Sequence, residues 1–269
     1  MSKRFIPLLK WASILLIFTV TAALAVPYSA IVIDADTGEV LYENNADEFS
    51  HPAGLTKLMT LYAAFDAVET GLIGLDDRVR ISLKASHEPP VKLGLREGQR
   101  IKFRYLLRAA AVHGANDAST SIAEAIDGSE EAFAIRMNGY STELGLSNAS
   151  WSNAHGLTQK GNIATARDIA YLFAAHQRDF PTYFNLFSRK KTHAGLREVE
   201  NSSLRMLENV EGIRGAKYGY SRAARFSSTV YVQRRDKKVV GVILGAITTK
   251  ALVRKMNVIV DKAFVEANK

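Results

Sequence analysis

The chain has 269 residues, no cysteine and a formal net charge of +8. Without cysteines there is neither a disulfide frame nor a thiolate zinc site, and the length suits one core-bearing domain or two interleaved lobes rather than a string of modules. A surplus this mild points to no nucleic-acid partner; solubility on a mixed-charge surface accounts for it, with some attraction to acidic lipid headgroups or wall polymers.

The first 25 residues stand apart from the rest. Lys3, Arg4 and Lys10 form a positive start, Trp11 to Ala22 is an apolar core, and Ala23-Leu-Ala25 offers a small-residue cleavage site, the three parts of a secretory signal. An uncleaved anchor is the competing reading, and the apolar run falls short of the roughly 20 residues that a bilayer crossing needs. Cleavage after Ala25 lowers the formal charge from +8 to +5. Because no cysteine is available for lipid attachment and no later segment is apolar enough to span, residues 26–269 are expected to form one periplasmic or secreted domain with no stable membrane anchor.

Residues 28–33 are rich in β-branched side chains, Asp34-Ala-Asp-Thr-Gly38 reads as a turn, and Val40-Leu-Tyr-Glu43 continues as a second strand, so the domain opens with a hairpin. A helix follows from His51-Pro-Ala-Gly-Leu-Thr-Lys57 to about Glu69. Gly54 is placed to act as its N-cap, and Leu55, Leu58, Met59 and Tyr62 recur on one apolar face. Lys57 falls within the first turn of that face; it either snorkels past its apolar neighbours or belongs to a site. Residues 78–102 read as short strands and loops broken at Glu88-Pro-Pro90 and Arg96-Glu-Gly-Gln99, and Phe103 to Val112 is a helix that delivers the corner Gly114-Ala-Asn-Asp117.

Ala118 to Ile126, Glu130 to Leu144 and Thr165 to His176 read as further helices, with Trp151-Ser-Asn-Ala-His-Gly-Leu157 as a loop in which His155 is expected to be satisfied by backbone groups. Residues 190–208 carry no clear period. Ala216 to Ser221, Phe226 to Arg234 and Val239 to Ile247 read as strands, and Lys250 to Glu266 as a helix with Leu252, Met256, Ile259 and Ala263 inward. Strands at both ends with helices between them predict an α+β fold: one antiparallel sheet built from the two termini, covered by helices, with an inserted helical lobe.

Gly54-Leu-Thr-Lys57, Gly114-Ala-Asn116 and Lys217-Tyr-Gly219 resemble, in this order, the Ser-x-x-Lys, Ser-x-Asn and Lys-Thr-Gly motifs of the penicillin-binding D-alanyl-D-alanine carboxypeptidases. The likeness runs from Tyr28-Ser-Ala-Ile-Val-Ile-Asp-Ala-Asp-Thr-Gly38 to the final helix. It implies a β-lactamase/transpeptidase-like fold, no metal or other cofactor, and a wall peptide ending in D-Ala-D-Ala as partner. The chain stops where the family often adds a β-rich domain and an amphipathic anchor.

Every aliphatic hydroxyl of the three motifs is missing: Gly54 and Gly114 stand for serines and Tyr218 for threonine, while Lys57, Asn116, Lys217 and Gly219 are kept. In the family the serine attacks the peptide carbonyl through an ester intermediate and the lysine one turn on accepts its proton. Gly54 has no atom with which to do so. The sequence therefore predicts a pseudoenzyme that binds wall peptide or a cell-wall protein through Lys57, Asn116 and Lys217, with the Gly54 amide as an oxyanion donor. The alternative is a residual carboxypeptidase or β-lactam-reactive hydrolase with a substitute nucleophile, for which Thr56 points away and Tyr218 would have to ionise. Tyr218 either contacts ligand or fills the space of the lost serines. Arg225, where the family commonly has glycine, is either a solvated side chain or an added carboxylate partner. If the framework is intact, restoring all three hydroxyls should restore acylation.

Overall fold

The computed structural model describes residues 28–266. The expected signal at residues 1–25 lies outside the described residues. A five-stranded antiparallel sheet in the order β2-β1-β9-β8-β7 forms the middle layer, made of β1 (Ser29–Asp34), β2 (Val40–Asn44), β7 (Ile213–Ser221), β8 (Arg225–Arg234) and β9 (Lys237–Ala246). The termini meet where β1 pairs with β9, from Ser29 opposite Leu244 to Asp34 opposite Val239. This is the sheet that the strand pattern predicts, and β7 is left as an edge.

Alternation along the strands sends side chains to two separate cores. Ile31, Ile33, Tyr231, Val240 and Val242 join the core beneath the helical layer. Ala30, Val32, Val230, Val232 and Ile243 pack on the opposite face against Leu252, Met256, Ile259 and Ala263 of α9 (Thr249–Glu266), as the helical spacing predicts. Among the described residues no helix is long and apolar enough to cross a membrane.

The helical layer surrounds α1 (Thr56–Glu69). One apolar face is expected of this helix, but it is buried on nearly every side, including Thr56, Lys57 and Thr60. Gly54 is not its N-cap: it lies inside a single 3-10 turn, Ala53–Leu55, and Leu55 holds the cap position. Around it pack α4 (Asn116–Asp127), α5 (Glu130–Glu143) and α6 (Ala166–Asp179), the last begun by a capping box between Thr165 and Asp168. β3 (Arg78–Arg80), α2 (Leu83–Ser86) and β4 (Arg100–Lys102) make up the short elements before α3 (Phe103–Arg108), which ends in one π-helical turn, Ala109–His113. The stretch without a period contains a small hairpin, β5 (Lys191–His193) with β6 (Glu198–Glu200), and α8 (Leu204–Asn209), and the sequence reading also passes over α7 (Pro181–Phe184). Each is too short to show periodicity.

The fully buried Asp117 ties the helical layer to the segment that crosses its front. Its carboxylate accepts the amides of Leu93, Gly94 and Leu95 at 2.8–3.0 Å and that of Ala118 at 2.8 Å. Removing it strands four buried or half-buried donors, each costing on the order of 1–3 kcal/mol when left without a partner. Asp117→Ala is thus expected to lower the unfolding free energy by several kcal/mol, and in hydrogen exchange Leu93–Leu95 should lose protection before the sheet does.

Candidate active site

The three motifs converge on one cavity of about 290 Å³ whose lining includes Gly54, Lys57, Gly114, Asn116, Tyr218 and Gly219. Lys57 holds its centre. Its ammonium donates to Asn116 Oδ1 at 2.7 Å and to the carbonyl of His155 at 2.5 Å. Asn116 is fixed on its other side, donating from Nδ2 to the Pro89 carbonyl at 2.9 Å and from its backbone amide to Val91 at 2.7 Å. The loop carrying His155 docks along α1 because Thr60 donates to the Ala154 carbonyl at 2.6 Å. It can do so only with glycine at 156, where an added Cβ would fall 1.8 Å from the Ala53 carbonyl oxygen at a φ of +82°.

Burial pulls the Lys57 ammonium down to about 7 against the opposing charges of Glu88 and Asp117. Among the described residues, those within its hydrogen-bond reach are neutral acceptors. An approaching anion or nucleophile would therefore meet a group that exchanges its proton near neutral pH.

Lys217 behaves differently from the sequence expectation. It is fully buried, does not line the cavity, and donates to the carbonyls of Ala110 and Ala111, both at 2.7 Å. The π-turn explains this. The amides of Gly114 and Ala115 both turn back to the Ala109 carbonyl, so the following carbonyls need other donors; Lys217 takes two and the Ser202 amide takes that of Val112 at 2.9 Å. Lys217 is thus a helix C-cap supplied from the edge strand, and burial together with the like charge of Lys57 depresses its pKa well below the ordinary lysine value.

The Tyr218 ring fills neither place where a motif hydroxyl would stand, and the two places differ. At Gly54 an added Cβ would lie 2.9 Å from the Tyr218 carbonyl oxygen and 3.0 Å from Gly219 Cα, so the β7 backbone itself has closed over the helix start. The contact is mutual, since a Cβ on Gly219 would lie 2.7 Å from the Gly54 nitrogen. At Gly114, φ is +81° and the nearest groups to an added Cβ are Ser202 Oγ at 3.5 Å and Lys217 Nζ at 3.9 Å. Tyr218 is half-buried on the far face of β7, where its ring packs into the α9 core and its hydroxyl interacts with Thr249. Burial raises its pKa, which works against the phenolate that a substitute nucleophile would need. Thr56 is fully buried with Oγ1 turned to Asn162, away from the cavity. Arg225 begins β8 at a φ of +56°, a backbone that glycine adopts freely, and makes no ion pair among the described residues.

Sequence reasoning missed two features. Ser202, the one aliphatic hydroxyl among the described residues that line the cavity, comes from the stretch without a period. Behind Lys57, the Nε2 of buried His155 faces Glu130 Oε1 at 3.4 Å and Glu88 Oε2 at 3.6 Å, so backbone alone does not satisfy this histidine as expected. These three residues could surround a metal ion, but the Leu157 amide donates to His155 Nδ1 at 3.1 Å, which leaves the proton on Nε2 and no lone pair for a cation there. Burial also pulls the imidazole down to about 4.

A sheet flanked by helices on both faces, with a lysine near the start of the buried helix, an asparagine opening α4 and a Lys-x-Gly edge strand, defines the penicillin-binding, β-lactamase-like peptidase class. The chain belongs to the D-alanyl-D-alanine carboxypeptidase family, whose sequence pattern matches residues 18–248. It is similar to the D-alanyl-D-alanine carboxypeptidase DacF of Bacillus subtilis, at 32% identity over 88% of this chain and 61% of that protein. Likeness to DacC of Escherichia coli K12 stands at 32% over 82% of this chain and 56% of that one. The chain thus spans well under two thirds of these relatives. The crystal structure of the D-alanyl-D-alanine carboxypeptidase DacD from Francisella tularensis superposes with a TM-score of 0.83, covering 88% of this chain and 70% of that one; at 22% identity this speaks for the fold alone.

Two measurements follow from this geometry. Gly54→Ala has to push backbone aside, at about 1–3 kcal/mol, which outweighs the ~0.4–1 kcal/mol gained from a stiffer unfolded chain. It should lower stability to urea, whereas Gly139→Ala, on an open face of α5 with nothing within 4 Å, should raise it by about 1 kcal/mol. For Lys57, a pKa near 7 in the folded chain and about 10.4 unfolded means that the unfolded state holds the extra proton between these values. Its stabilising contribution is complete above the unfolded value and is lost as pH falls through about 7. Between pH 8 and 9.5 stability should rise with pH, and Lys57→Met should reduce that slope by up to ~1.4 kcal/mol per unit.

Proposed function

We propose that this chain is a non-acylating member of its family: an exported domain, residues 26–269 after a signal at 1–25, that holds the D-Ala-D-Ala end of a peptidoglycan stem peptide, or a cell-wall protein, without cleaving it. The observation that carries this is the Gly54–Gly219 contact. The position of the nucleophile has no side chain, and the backbone of β7 lies where one would start. Family chemistry passes through an ester on that side chain, and loss of such a nucleophile usually costs several orders of magnitude in turnover. Lys57 and Asn116 remain poised around an open cavity of about 290 Å³, which favours ligand binding over a filled, purely structural cleft.

The proposed roles are specific. Lys57 and Asn116 contact the peptide, the Gly54 amide faces its carbonyl, Gly219 lets strand and helix meet, and Lys217 holds the Gly114 corner from behind. Tyr218 contributes its backbone.

A fluorescent penicillin tests the reading directly. The purified protein should give no labelled band on a denaturing gel, because a band requires a covalent bond; a band would refute the loss of acyl transfer. The triple replacement Gly54→Ser, Gly114→Ser and Tyr218→Thr should also stay unlabelled, against the simple expectation from the motifs. A Cβ at 54 meets backbone, and a serine at 114 must adopt a φ of +81°.

A further inference from the structure

A second cavity, of about 430 Å³, opens where the end of α6 meets the β8–β9 end of the sheet, and it shares no lining residue with the cleft. Its size falls within the roughly 300–1,000 Å³ of small-molecule sites. Gln177 and Arg178 line it from α6, Tyr231 and Gln233 from β8, and Arg214 from the start of β7. Asp36 and Lys238 line it too, but each is taken by the other: the Lys238 ammonium donates to both Asp36 oxygens, at 3.0 and 3.1 Å. Arg178 is likewise paired, donating to both oxygens of Asp179 at 2.7 Å. Arg214 is different. It makes no hydrogen bond or ion pair among the described residues.

Two features aim unpartnered groups at this space. The register of β7 on β8 shifts by one residue between Ile213 opposite Val232 and Gly215 opposite Tyr231, so Arg214 is the extra residue of a bulge. Simple alternation would put residue 214 on the face of Ala216 and Tyr218, against α9; the bulge brings it instead to the cavity that Tyr231 lines. Tyr231 itself is 4% exposed, with its ring edge-on to Phe184 at 5.2 Å. Its hydroxyl has no hydrogen-bond partner among the described residues, although a tyrosine buried to this degree usually finds one. Burial and the charges of Asp36 and Asp34 push its pKa up to about 12, so the hydroxyl keeps its proton and remains a donor at neutral pH.

We infer that this cavity binds a small anionic sugar, with the acidic group on Arg214 and the Tyr231 hydroxyl and the sugar hydroxyls on the Gln177 and Gln233 amides. An arginine without a carboxylate of its own offers a planar fork of donors that matches two oxygens of a carboxylate or phosphate. Amides donate and accept at once, as sugar hydroxyls do. Gln233 gives one donor to the Arg235 carbonyl at 3.4 Å and keeps its carbonyl oxygen. The Asp36–Lys238 pair adds polar wall without adding charge. A bare oxyanion would leave most of the cavity unfilled and both amides unused.

The test titrates the full chain, by calorimetry and chemical-shift mapping, with two matched pairs of probes and inorganic phosphate alone. The pairs are N-acetylmuramic acid against N-acetylglucosamine, and glucose-6-phosphate against glucose. One acidic sugar at least should bind in the millimolar range or below, about tenfold tighter than its neutral counterpart, with shifts at Gln177, Tyr231 and Gln233 and none at Lys57 or Asn116. Which pair shows the difference tells a carboxylate from a phosphate. Arg214→Gln should lose about tenfold for the acidic sugar and little for the neutral one. Tyr231→Phe should lose about threefold to tenfold while its unfolding midpoint stays in place, because the hydroxyl bonds to no protein group. Equal binding of acidic and neutral sugars would overturn the anion assignment. Phosphate binding as tightly as glucose-6-phosphate would remove the sugar from it. Absence of binding by all the probes, or unchanged affinity in both variants, would refute the site.

Discussion

The structure of the cleft depends on one buried ammonium. Lys57 reaches from α1 to Asn116 at the start of α4 and to the carbonyl of His155 in the loop that lies across both, so three segments far apart in sequence are registered by a single side chain. Both acceptors are neutral. A salt bridge would hold the lysine charged at all ordinary pH and spend its charge on the fold; neutral acceptors satisfy two of its three donors and leave its proton affinity to be set by burial. The same arrangement that organises the helical layer thus keeps a responsive group facing the cavity. This holds although Gly54, three residues before it, offers no side chain.

The second lysine shows how much context decides. Lys57 and Lys217 occupy matching places in the motif pattern, and from the residues alone both belong to one cationic corner. In the fold, the π-turn after α3 leaves carbonyls that the helix cannot pair, and Lys217 is consumed in capping them. Its role is mechanical first: it binds the edge strand β7 to the end of α3 and so sets the width of the cleft between Gly114 and Gly219. A π-turn at this point also aims the Gly114-Ala-Asn116 corner, which a regular helix end would send elsewhere.

The sheet was legible because β-branched alternation in residues 28–33 and 226–247 leaves little choice of face, and α9 because its apolar spacing matches one stripe. Lys57 stood out on the apolar face of its predicted helix, and Asn116 and Gly219 were pointed to by the resemblance to the family's motifs. Tyr218 was not: its ring was expected in the cleft, against ligand or in the space of the missing serines, but strand alternation past the buried Lys217 sends it to the α9 face. Three things lay beyond reach. The Gly54–Gly219 contact joins residues with no local signature, the π-turn depends on donors from Ser202 and Lys217, and Asn201-Ser-Ser203 is placed by hydrogen bonds to Arg189 and Lys190 rather than by any periodicity. The all-round burial of α1 was also hidden, because Thr56 and Thr60 read as polar, yet the Thr56 hydroxyl accepts from Asn162 and the Thr60 hydroxyl donates to the Ala154 carbonyl.

The two glycines that replace serines are therefore not equivalent. At Gly54 the lost side chain has been replaced by approach of the opposite backbone, so the fold has relaxed into a state that a returning serine would have to reopen. At Gly114 the φ of +81° and the 3.5 Å gap to Ser202 leave the corner open and keep a hydroxyl within it, only from another loop. Had the cleft simply decayed, close packing would be expected to fill both ends, because an unfilled void forfeits contacts on every wall. Closure at Gly54 beside an open corner at Gly114 is therefore a difference in packing between the two ends of one cleft, not a uniform collapse.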